Sequence, residues 1–76
     1  MIDVFVTFGQ IHAHKINGIT FDCDSIMKMK ATDELTARQW LVRELDNRYM
    51  TTYLSVDADL LKFFPRGIID SKVEAV

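Results

Sequence analysis

His12, His14, Cys23 and the neighbouring Asp22 and Asp24 are the residues in this chain whose types and spacing could do chemistry. His12 and His14 stand two apart, so on a strand both imidazoles project from one face, the usual start of a zinc-type site. Such a site needs a third and a fourth ligand, each held by outer-shell partners. Cys23 shares that face if Asn17-Gly18 closes a two-residue loop, whereas Asp22 and Asp24 then point away. Two histidines on a solvated strand are the commoner arrangement, and hydrolysis would need the same pair. Cys23 as a nucleophile would need a lowered pKa and a positioned base, which His12 could supply. A small buried cysteine is the ordinary alternative. The chain has no glycine-rich phosphate loop, CxxC, GxSxG or HExxH. We therefore expect a non-enzymatic protein with no cofactor and no metal, and keep metal binding through His12 and His14 as a second alternative.

Residues suited to a partner are more numerous. Lys28 and Lys30 project from one strand face, and Lys15, Arg43 or Arg66 could widen them into a basic patch. With Tyr49 and Tyr53 as stacking surfaces, they make a nucleic-acid-binding module the first alternative. Against it stands the simpler picture of a solvated sheet face with tyrosines under a helix. Phe63, Phe64, Pro65, Arg66 and Gly67 form the densest oddity. Two adjacent phenylalanines are hard to bury together in a short turn. One reads as a core anchor; the other, with Arg66, has the composition of an interface hot spot. Alternatively, both plug the end of the sheet. The expected partner-binding residues are Phe63, Phe64, Arg66, Tyr53, Lys28 and Lys30.

The element that must position these residues is a helix over 32–47. Thr32 reads as its N-cap, with Asp33 and Glu34 at the positive end of the dipole. Ala37, Trp40, Leu41 and Leu45 recur at helical spacing, widened by Leu35 and Val42. Glu34 and Arg38 stand in the favourable order for an ion pair. Ile2, Val4, Val6 and Phe8 alternate as a strand, made central by Phe5 on its second face. Asn17-Gly18 between alternating runs predicts a type I′ hairpin in which Ile16 faces Ile19, His14 faces Phe21 and His12 faces Cys23. Asp24-Ser25 reads as a bend, and Met27, Met29 and Ala31 alternate with Lys28 and Lys30 as a further strand. Tyr49–Val56 reads as a strand, and Asp57 as the cap of a short turn of helix that Pro65 stops. Ile68 and Ile69 open a short last strand, with an edge or frayed tail after Asp70. The fold class is α+β: a small antiparallel sheet of four to five strands on one main helix, in the order β-β-β-α-β-(short helix)-β. Its uncovered face is the expected interaction surface, and its exposed edge could pair two copies as a homodimer.

Composition narrows the partners. Seventy-six residues make a single domain, and a hydrophobic share of 49% suits a globular one. No apolar run is long enough to span a bilayer, and MIDVFVTFGQ has neither the basic start nor the apolar core of a signal peptide. A lone cysteine fits a reducing cytoplasm. Nine basic against eleven acidic residues disfavour both a net-basic nucleic-acid binder and a strongly acidic DNA mimic.

The opening FVTFGQIHAHKINGITFD, the later TARQW and the closing KFFPRGII together resemble small accessory proteins of tailed bacteriophages and prophages. No activity comes with that resemblance, and no catalytic residue is carried over. It implies a context: a small protein in the cytoplasm of a bacterial host that binds a host protein and inhibits or redirects it. Inhibitors of bacterial immunity, CRISPR effectors among their targets, belong to that class.

Overall fold

The computed structural model describes residues 1–10 and 13–76. Six strands and two helices follow one another as β1 (Ile2–Thr7), β2 (His14–Ile16), β3 (Ile19–Phe21), β4 (Ser25–Ala31), α1 (Glu34–Leu45), β5 (Thr51–Tyr53), α2 (Ala58–Leu61) and β6 (Gly67–Ala75). Four of the strands form one sheet in the order β5-β1-β4-β6, and β2-β3 stand apart as a hairpin. The α+β class holds. The sheet is antiparallel from β5 to β4 but mixed overall, because β6 joins β4 in parallel.

Alternation on β1 and β4 decides what each sheet face carries. Val4 lies opposite Met29 and Val6 opposite Met27, and all four are fully buried beneath Ala37, Leu41 and Leu45 of α1. Each large side chain contributes roughly 1.5–3 kcal/mol by leaving water. The helix begins one residue later than expected. Asp33, not Thr32, is the N-cap: its carboxylate accepts from Thr36 N–H at 2.7 Å. Thr32 N–H instead donates to Ala75 O, continuing the strand contact. Asp46 and Asn47, both at positive φ, end the helix. Leu35 and Val42 do not widen the buried stripe; they are 64% and 52% exposed.

The hairpin adopts the predicted register, with His14 opposite Phe21 and Ile16 opposite Ile19. Asn17 and Gly18 have φ of 50° and 82°, as a type I′ turn requires. Ile16, Ile19 and Phe21 join the core under α1, so the hairpin roofs the part of that face the helix leaves. The expected pairing of His12 with Cys23 lies outside the described residues, and Cys23 itself sits in a turn beyond β3.

The opposite face is not left open, as the sequence had suggested. Since β1 pairs antiparallel with both β4 and β5, the strands β4, β5 and β6 all run the same way. The crossover β4-α1-β5 and the return β5-α2-β6 move in opposite directions across the sheet. They share one hand only if they use opposite faces. Thr7 and Ile26 face each other on the side away from α1, and their exposures are 1% and 0%. The α2 crossover therefore closes one end of that second face.

Two strands differ in length from expectation. β5 is shorter than Tyr49–Val56, keeping only Thr51–Tyr53. β6 runs for nine residues because an irregularity absorbs its mismatch with β4 between Lys28 and Lys30. At that bulge Lys72 has φ 64°, and buried Ser71 donates to Lys28 O at 2.8 Å and accepts from Val73 N–H. A kink of this kind blunts an edge strand against pairing with another chain. Among the described residues no helix is long and apolar enough to cross a membrane.

Candidate functional site

Where the α2 crossover meets the sheet it leaves a groove of about 410 Å³. The end of β1 and the residues after it supply Thr7, Phe8 and Gln10, the turn before β4 supplies Cys23 and Asp24, the approach to β5 supplies Met50 and the end of β5 supplies Tyr53. Leu60, Phe63 and Phe64 complete it from α2 and the turn after it. The crossover is short because it is capped and stapled. Asp57 Oδ1 accepts from Leu60 N–H at 2.8 Å, Phe64 N–H donates to Leu61 O, and Gly67 N–H donates to Phe64 O. Gly67 has φ 73°, so the bend after Pro65 uses its freedom. Arg66 N–H then donates to Asp24 O at 2.8 Å, which fixes the turn against the beginning of β4.

That clamp divides the two phenylalanines. Phe64 is half-buried in the groove, while Phe63 on the same wall is 75% exposed. Met50 and Leu54 nearby in the chain are also exposed, at 61% and 56%. Exposed aromatic and thioether side chains gathered around a concavity mark a contact surface more often than a random one. Two of these residues, Met50 and Leu54, were hidden in the sequence inside what read as a strand.

Arg66, though exposed, is engaged within the chain. Its Nη1 donates to Thr20 O at 2.7 Å and lies 3.3 Å from Asp22 Oδ1, so the side chain straps the hairpin to the crossover. Together with Asn17 Nδ2, which donates to Ser71 O at 2.7 Å, it fixes the hairpin over the core.

Lys28, Lys30 and Tyr53 do share the face away from α1. In register, Tyr53 and Lys28 flank Phe5 on β1, and Lys30 lies opposite Asp3. This is not a basic patch. Asp70 lies opposite Lys28 and Glu74 opposite Lys30, and Lys28 Nζ approaches Asp3 at 3.9 Å. A shallow cavity of about 300 Å³ at the bulge mixes Lys30 and Lys72 with Asp70 and Glu74. Lys15 on the hairpin and Arg43 on α1 belong to elements of the other side. Tyr49 packs on the core and offers no stacking surface beside Tyr53.

Of the residues considered for bond chemistry, His12, and with it the His12/His14 pair, lies outside the described residues, whereas His14 and Cys23 can be placed. His14 Nε2 lies 2.8 Å from Arg48 O; a carbonyl only accepts, so this nitrogen carries the proton. The ring also meets Phe8 at a tilt of 50°, with centroids 5.7 Å apart. The Cys23 thiol is pushed up from its ordinary pKa by partial burial, then by the charges of Asp24 and Asp22, the reverse of what activates a nucleophile. Among the described residues no three His, Cys, Asp or Glu side chains gather to hold a metal ion. Compared with family models, with curated proteins and with solved structures, the chain finds no match.

Proposed function

We propose that this chain is a non-catalytic binding module that docks on another protein through the groove at the α2 crossover. The observation carrying this reading is Phe63: a large aromatic side chain, three-quarters exposed, on a turn that four backbone hydrogen bonds and a cap hold in place. A rigid aromatic anchor loses little side-chain freedom on binding and leaves water over its whole face. Met50, Tyr53, Leu60 and Phe64 form the apolar centre of the patch, and Gln10 and Asp24 stand at its polar rim, the usual anatomy of such an interface. The resemblance to phage accessory proteins makes a bacterial host protein the partner, an immune effector such as a CRISPR nuclease among the candidates. Inhibition would follow by occlusion. The test is recovery of a host protein from bacterial lysate by the intact chain and by Phe63→Ser. The variant should keep its melting temperature and lose the partner; equal recovery by a folded variant overturns this surface.

One observation favours a second reading. Phe5 and Tyr53 are cross-strand neighbours on the open part of the outer face, where bases could stack. The carboxylates of Asp3, Asp70 and Glu74 on that face oppose a phosphate backbone. A gel shift with single-stranded DNA at low salt separates the two: retention that fades steeply with salt supports nucleic-acid binding, and no retention removes it.

A further inference from the structure

Among the described residues, one charge at the groove has no ion-pair partner, and this deepens the reading of the groove as a docking site, on which the inference rests. Each charged residue around the groove but one has an assigned role. Asp22 pairs with Arg66, Asp59 pairs with Lys62 at 3.4 Å, and Asp57 caps α2. Asp24 lines the groove, and among the described residues it takes part in none of the ion pairs. Its main chain is held from both sides, by Asp22 Oδ1 on the N–H and by Arg66 N–H on the carbonyl. Its side chain receives only the weak Cys23 thiol at 3.7 Å. A carboxylate on a held stretch of backbone beside an apolar concavity is complementary to a cation that follows an apolar group.

We infer that the groove takes a partner segment with a large apolar side chain next to a lysine or arginine. The apolar group sits among Met50, Tyr53, Phe63 and Phe64, and the cation pairs with Asp24. The pairing is a rim contact, so it selects among segments more than it holds them. Losing it should weaken binding about two- to fivefold at low salt, and added salt should erase the difference.

A random peptide library selected against the intact protein, against Phe63→Ser and against Asp24→Asn tests this. Asp24→Asn leaves the main-chain bonds in place, and a thermal melt confirms that the variant folds. The expected result is a set of Phe63-dependent binders enriched in Lys or Arg beside an aromatic or long aliphatic residue, with that enrichment lost on Asp24→Asn. Phe63-dependent binders with no basic bias, or a bias that persists in Asp24→Asn, overturn the inference while the docking site stands. Absence of any Phe63-dependent binder overturns the docking site and the inference with it.

Discussion

Replacing Arg66 by alanine separates a structural strap from an interface hot spot. Its guanidinium makes one short bond, to Thr20 O at 2.7 Å, and one looser ion pair, to Asp22 at 3.3 Å. A charged donor on a carbonyl contributes about 1.5 kcal/mol net. The ion pair is more than a third exposed on both sides, at 38% and 37%, so screening leaves it about 0.5 kcal/mol. Arg66→Ala should therefore cost about 2 kcal/mol, which lowers Tm by about 8–16 °C in a domain of this size. Arg66→Lys keeps the charge and loses the planar fork, so it should recover only the ion-pair share, about 0.5 kcal/mol. Circular dichroism melts of the three proteins at low and high salt measure both parts. The carbonyl bond survives salt and the ion pair does not. An alanine variant melting within about 2 °C of the parent would refute the strap, and with it the view that the crossover is anchored through the hairpin.

Three further outcomes follow from the same contacts. Ile26→Ala empties a fully buried site on the face away from α1 and should cost roughly 2–5 kcal/mol; a denaturant-melt loss below about 1 kcal/mol would mean that the crossover does not close that face. Gly18→Ala meets no neighbouring atom within 4 Å, so its cost is the positive φ alone, about 1 kcal/mol, and Asn17→Ala should cost more because it also loses the Ser71 bond. Asp33 titrates below the ordinary aspartate value because Thr36 N–H bonds its carboxylate. A folded pKa below the unfolded one stabilises above the unfolded value and is lost as pH falls through the folded value. Asp33→Asn keeps a capping oxygen without the titration, so it should melt like the parent near neutrality and show a shallower loss in acid melts below about pH 4.

Local features of the sequence carried much of this fold. Asn17-Gly18 specified a turn type and therefore a register, and His14 does face Phe21. Asp57 announced α2, and the spacing of Ala37, Leu41 and Leu45 announced α1. What stayed illegible was nonlocal. The continuation of β6 along β4 past Asp70 depends on a bulge at Lys72, a residue type with no preference for positive φ. The closed end of the second face depends on where a crossover must pass, and only the strand order reveals it. The groove joins Thr7, Asp24, Met50 and Phe64 from four separate segments, so no window of sequence could display it. The bond by which Arg66 straps the hairpin has the same origin, since its acceptor, Thr20 O, lies far away in the chain.

The central claim is that partner contact is concentrated at Phe63. A photo-crosslinking phenylalanine analogue placed at residue 63, and for comparison at Val42 on the exposed side of α1, tests it in living bacterial cells. The account predicts one discrete adduct with a host protein from position 63 and none from position 42. An adduct from position 42 alone, or none from position 63, would contradict it.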